Sequence, residues 1–372
     1  MDLCEAIERF FSGDKELLEK YPEIRLMILL GLMKPAPPFL LTPLSPILDS
    51  MKYAKPEKAA LMAIVLSHLI AYKVPLNAIK DHLERAFTIL REAYEKCGSR
   101  DIAIALAETA MHLGKLYSKP KTVTKAAGYF QKALILLNTH SDDSIGFRRS
   151  LVRLYTVQAD SELLVGEPFR ALMHAKVAER YSEGLPEKYL LPLRDVLARA
   201  NRLVRKEEEA YSYIDKILEV VKPTPIGVQR VAFLYIYTGY EPAYERLIEL
   251  LEPVKLLTPP PFIALAKAYN KIEEDREEGM TKLANLARLP DPLISSLARI
   301  LMARADLDLK RVRKYLDEAV DRTVKAGIIE IALLAIREGE RKGLSKKDLE
   351  KRKKKIREAY KRGVQAQDFR AY

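Results

Sequence analysis

Residues 107–138 read A-E-T-A-M-H-L-G-K-L-Y-S-K-P-K-T-V-T-K-A-A-G-Y-F-Q-K-A-L-I-L-L-N, and this stretch decides the fold. Gly114 and Ala126 are small enough to let two antiparallel helices touch. Tyr117, Phe130 and Ala133 stand where their side chains would fill the seam between that hairpin and its neighbours. One hairpin cannot bury its own apolar face, so this one implies a stack of them.

Paired helical patterns extend outward from it. Before it, 56–73 pairs with 75–97, where Ile79, Leu83, Ala86, Leu90 and Ala93 recur every three or four residues and mark one helix face. Ser99 is placed to cap the first helix of the central hairpin. After it come 145–165 with 168–182, 186–204 with 207–221, 226–238 with 241–251, 259–272 with 274–288, 292–305 with 309–324, and 326–342 with 346–362. Gly166-Glu167-Pro168, Pro223-Thr224-Pro225 and Gly239 punctuate the pairs, and no period-two strand pattern competes. The first 33 residues are helical in pattern, with Asp14 as a cap. Pro35, Pro37, Pro38, Pro43 and Pro46 predict a non-helical linker over 34–46. The expected organisation is an irregular N-terminal helical segment with a Pro-rich linker (1–55), helical repeats (56–325), and a C-terminal helical hairpin with a basic capping helix and a short tail (326–372).

The Leu113-Gly114, Tyr117, Ala126, Phe130 and Ala133 spacing resembles a tetratricopeptide repeat. Leu265-Ala266 with Tyr269 echoes it. Seam alanines at 126, 171, 210 and 243 lie 45, 39 and 33 residues apart, where that family is regular at about 34. The resemblance implies an all-α fold, a right-handed α-solenoid of antiparallel helix pairs with degenerate repeats. A HEAT-like or otherwise irregular solenoid is the structural alternative. It further implies a concave groove lined by the first helix of each pair. Lys115, Arg199 and Arg299, each next to a small seam residue, approximate the groove-facing positions, with Arg153, Arg202, Lys267 and Asn270 as neighbours on the same helices. Most are basic, Asp160 and Asp195 being exceptions, so the implied occupant is an acidic peptide or a terminal carboxylate. Tyr237 and Tyr240, within the cluster Tyr235, Tyr237, Tyr240 and Tyr244, are candidate aromatic contacts.

The chain has 372 residues, 48% hydrophobic and 31% charged, ample for a large core. Cys4 and Cys97 define no disulfide framework and read as ordinary thiols of a reducing compartment. His68, His82, His112, His140 and His174 form no H-E-x-x-H and no Cys/His cluster, so neither a metal nor another cofactor is expected. Asp2 and Glu5 precede any apolar run, and the longest apolar stretch, 59–72, is too short to span a membrane. A cytoplasmic protein without membrane contact is expected. Abundant Lys, Arg and Glu with little Cys and His point to a hyperthermophilic source.

The formal net charge of +12 is unevenly placed. Between 341 and 362, twelve Lys and Arg face three carboxylates, an excess of nine positive charges, which leaves the body nearly balanced. Leu349, Ile356 and Tyr360 give that helix a narrow docking stripe. Lys346, Lys347, Lys351, Arg352, Lys353, Lys354, Lys355, Arg357, Lys361 and Arg362 occupy its other faces. Like charges repel along a helix, and phosphate would relieve the repulsion and release counterions. No base-reading signature accompanies them, so such binding is expected to ignore sequence. The chain also lacks a Gly-rich phosphate loop and a G-x-S-x-G. The leading expectation is a non-catalytic scaffold or adaptor binding a protein or peptide in a basic groove. A nucleic-acid or ribonucleoprotein accessory protein is the alternative, and an enzyme with a site assembled from several helices is the second alternative. The Leu, Ile and Phe content of the first 55 residues adds a homodimer through that segment.

Overall fold

The structure, a computed structural model, describes residues 2–33, 40–71, 73–141, 144–254 and 260–368, without the side chains of Lys188 and of 360–368. Among the described residues the chain is all-helical, with twenty α-helices packed in adjacent pairs and no strand. They fall into two compact units, 1–118 with 123–158, and 119–122 with 159–372.

In the first unit α1 (Leu3–Phe11), α2 (Lys15–Lys20) and α3 (Pro22–Leu32) open the chain. Asp2 caps α1 by accepting from the Leu3 N–H, and Asp14 caps α2 by accepting from those of Glu16 and Leu17. The prolines at 35, 37 and 38 lie outside the described residues. The linker expected to reach Pro46 ends earlier, because α4 (Leu41–Ser50) takes in both Pro43 and Pro46. Pro43 falls in the first turn, where a backbone N–H has no helical partner to lose. Pro46 gives up one bond, and the full burial of Leu44 and Leu48, worth about 1.5–3 kcal/mol each, offsets it.

Next come α5 (Pro56–Val65), buried from Ala59 onward and continuing into a π-turn at Leu66–Ile70, then α6 (Lys80–Cys97), α7 (Arg100–Leu116), α8 (Val123–Thr139) and the first part of α9 (Ile145–Leu164). Ser99 caps α7 as its position predicts. A Cβ on Gly114 would lie 2.7 Å from the Phe130 ring, so glycine there lets α7 and α8 touch. Ala126, Phe130 and Ala133 are buried in that seam. Tyr117 is half-buried, stacks on Tyr129 at 5.8 Å and donates to the Glu84 carboxylate. The expectation of two free thiols is corrected. Cys4 on α1 and Cys97 at the end of α6 form a disulfide, their Cα atoms 5.6 Å apart. α1 packs on α5 and α6, and this joins positions 93 residues apart that no local pattern links.

The second unit holds the rest of α9, the link 119–122, and α10 (Pro168–Tyr181), α11 (Glu187–Leu203), α12 (Glu207–Leu218), α13 (Pro225–Thr238), α14 (Glu241–Leu251), α15 (Pro261–Glu274), α16 (Arg276–Ala287), α17 (Pro292–Ala305), α18 (Leu309–Ala326), α19 (Ile329–Arg341) and α20 (Lys346–Asp368). From α11 to α18 each odd-numbered helix packs on the even one after it, and α11, α13, α15, α17 and α19 also pack on one another in order. The order then closes, since α19 packs back on α11 and α13 packs on α17. The odd-numbered helices therefore share a centre, and α13, α17 and α19 are buried over most of their length. α20 lies against α18 and α19.

Candidate functional site

Closure of the second unit puts two of the expected groove residues inside it. Arg199 on α11, 5% exposed, donates from one nitrogen to both Glu330 oxygens on α19 at 2.8 and 3.0 Å. It also binds Asp160 at 2.5 Å and pairs with Asp195 at 3.3 Å. Arg202, 2% exposed, reaches Glu338 of α19 at 3.2 Å and pairs with Glu207. Arg304 of α17 donates to the same Glu338 at 2.8 Å. Tyr237, fully buried, lies against Glu330. Burial first, and then the Glu330 charge, push its phenol well above the ordinary range. Burial also pushes Glu330 upward, against the pull of Arg199. Burial acts on Glu338 in the same sense, but Arg304, Arg341 and Arg202 outweigh it and hold that carboxyl below its usual range.

The other groove candidates stand outside this network. Lys267 and Asn270 are on α15, the first exposed and the second half-buried. Arg299 is half-buried and engaged by Glu318 at 2.7 Å and by the Ala287 and Ser295 carbonyls at 2.6 and 2.8 Å. Lys115, exposed, and Arg153, half-buried, belong to the first unit. Tyr240 is half-buried, stacks on Tyr211 at 4.4 Å and donates to Asp215 at 2.8 Å.

Arg153 joins a polar group that sequence reading missed. It donates to Glu108 Oε1 at 2.5 Å, and His68 Nδ1 lies 3.0 Å from Oε2 of the same carboxylate. Ser67 and Thr109, both fully buried, share a hydrogen bond of 2.5 Å, and His112 Nε2 sits 3.1 Å from the Ser67 carbonyl. Ser67 and His68 occupy the π-turn that follows α5, a rare geometry often found at functional sites. Burial pushes the His112 imidazole down to about 4, against the opposing pull of Glu108. Burial alone would raise Glu108, but the His68 hydrogen bond and the charges of His68 and Arg153 hold it below its usual range. Ser67 donates to the Ala63 carbonyl and meets Thr109, so its hydroxyl is turned to structure and away from either imidazole. The sequence signal was Glu108 and His112, one turn apart on a helix otherwise rich in Ala and Leu.

α20 presents the densest run of exposed positive charge. The Asp348 N–H donates to Ser345 Oγ at 3.2 Å, and the Ser345 hydroxyl donates to Asp348 at 2.7 Å, which starts the helix. Ile356 is buried, and Arg352, fully buried, pairs with Asp317 at 3.0 Å and donates to the Arg313 carbonyl at 3.1 Å. Arg352 therefore faces the protein. Lys353 pairs with Glu350 at 3.3 Å, Lys355 with Asp321, and Arg357 with Glu350 at 2.8 Å. Lys346, Lys347, Lys351 and Lys354 are exposed, and the nearest pairing among them is Lys354 with Glu358 at 3.9 Å. The side chains of Lys361 and Arg362 lie outside the described residues.

Fold and surface define a class: an all-helical protein of packed helix pairs, with a buried ion-pair network in its second unit and one lysine-rich helix against it. No protein-family model matches the chain, and neither a curated protein nor a solved structure does. No described helix is long and apolar enough to cross a membrane.

Proposed function

We propose that this chain is a non-catalytic helical-repeat protein that holds nucleic acid by its phosphate backbone, without regard to sequence, through the exposed lysines of α20. One observation carries the reading: Lys347, Lys351 and Lys354 stand at i, i+4 and i+7, so their ammonium groups share one exposed stripe about 10 Å long. Lys346, Lys347 and Lys351 make no ion pair with a described residue, so a phosphate ligand displaces nothing there but water and counterions. The competing reading, a peptide held in a basic concave groove, loses Arg199 and Arg202 to carboxylates of the same chain. The small-residue seams at Gly114 and Ala126 support a tetratricopeptide-like, right-handed winding of the pairs. A cytoplasmic, heat-adapted setting agrees with a disulfide and buried ion pairs in one chain, since intracellular proteins of hyperthermophiles keep disulfides.

A protein partner is the second reading. Leu26, Leu29, Leu32 and Met33 on and just after α3 are 41–60% exposed and form an apolar patch that suits a second copy or another protein. A pull-down from native lysate, with and without nuclease, separates the two. Recovery that nuclease abolishes, and that changing Lys347, Lys351 and Lys354 to Gln also abolishes, supports the backbone reading. A protein retained through both treatments refutes it in favour of the scaffold.

A further inference from the structure

Beside α20 lies a cleft of about 820 Å³. Three segments of the second unit bound it: the link 119–122, the last turn of α18 with Gly327, and the α20 positions Lys355, Glu358 and Ala359. Such a volume falls within the range of small-molecule sites. Its apolar surface comes from Pro120, Val324, Ala326 and Ala359. Its charges are the ammonium groups of Lys119, Lys121, Lys325 and Lys355 against the carboxylates of Asp321 and Glu358, a formal excess of two positive charges. Asp321 holds Lys355 in place. The C-terminal end of α18 adds roughly half a negative charge, which trims that excess to about one and a half.

The geometry points to this cleft as a site for a phosphomonoester, the phosphorylated end of a nucleic-acid strand whose backbone lies along the α20 stripe. The inference rests on the backbone reading above and adds a second contact to it. A phosphomonoester carries about 1.5–2 negative charges at neutral pH, which matches the cleft's remaining excess; a phosphodiester within a strand carries about one. The apolar wall suits the body that follows the phosphate. The stripe meets the cleft at Glu358, a lining residue one turn beyond Lys354 on the same helix face and paired with it at 3.9 Å. A free phosphorylated mononucleotide presents the same chemistry and is the other source.

The test compares three probes: a single-stranded 12-mer with a 5′ phosphate, the same 12-mer with a 5′ hydroxyl, and a nucleoside monophosphate. The proteins are the intact chain, the double variant Lys119→Gln with Lys325→Gln, and the stripe variant with Gln at 347, 351 and 354. The intact chain is expected to bind the phosphorylated 12-mer about tenfold more tightly than the hydroxyl one, as one added charge-assisted contact permits. The double variant is expected to lose that preference while holding the hydroxyl 12-mer within about twofold. Mononucleotide binding that falls in the double variant but not in the stripe variant supports the site with the free nucleotide as its source, even if neither 12-mer binds. That last result would still refute the backbone reading. Equal affinity for the two 12-mers together with no mononucleotide binding overturns the cleft. A phosphate preference that survives the double variant overturns it as well.

Discussion

His112 ties stability to pH through its burial in α7. Its folded pKa of about 4 lies below the ordinary 6.5, so the folded state prefers the neutral ring. As pH falls from 6.5 toward 4 the unfolded chain takes up a proton that the folded chain refuses. Stability is therefore complete above 6.5 and declines by on the order of 3 kcal/mol across that window. Glu108, held below its usual range, adds a further loss at still lower pH. Urea unfolding at pH 7.5 and 4.5 reads the His112 loss, and His112→Gln is expected to remove most of it. In the same hairpin Gly114→Ala drives a methyl into the Phe130 ring and should cost about 1–3 kcal/mol. Adding Phe130→Leu should cost less than the two single changes summed, because it makes room for that methyl; additive losses would deny the contact. Glu338→Ala removes the buried carboxylate that Arg202 and Arg304 share, leaving Arg202 to Glu207 and Arg304 to the Ile236 carbonyl, and should cost about 3–5 kcal/mol, read from the same unfolding curves.

At the scale of elements, the α1–α6 disulfide closes a long loop. In the chain-entropy account a closure of that length is worth about 4–5 kcal/mol. Cys97→Ser, or a reducing agent on the intact chain, should lower the denaturation midpoint, and an unchanged midpoint would contradict the bond. Helices were largely legible in the sequence: α14 and α17 begin and end where Pro, Gly and Glu punctuation placed them, and Ser99 and Asp14 cap as their positions predict. What local pattern missed has physical reasons. Pro43 and Pro46 read as breakers, yet first-turn placement and buried leucines let α4 keep them. The π-turn at Leu66–Ile70 leaves no compositional mark, and the cysteines are joined by packing between helices far apart in sequence. Arg352 looks like its lysine neighbours in sequence, yet it alone of the described basic residues on α20 is fully buried, against Asp317.

At the scale of the molecule, the least legible feature was closure of the second unit. Arg199 with Glu330 and Arg202 with Glu338 pair across 131 and 136 residues. Each arginine read locally as a groove residue because nothing near it in sequence names Glu330 or Glu338. Asp160 and Asp195, which break the basic pattern of that face, are the nearer partners of Arg199, and they were the available clue. With those arginines neutralised inside, the densest run of exposed positive charge lies on α20, and the nucleic-acid binding proposed for it should depend on salt. The direct measurement is the affinity for a single-stranded, 5′-hydroxyl oligonucleotide across 50–300 mM salt, for the intact chain and for the variant carrying Lys347→Gln, Lys351→Gln and Lys354→Gln. The account predicts binding that weakens with salt, and a log–log slope that shrinks in magnitude by about two when the three lysines are removed. No binding at low salt, or a slope unchanged in the variant, would contradict it.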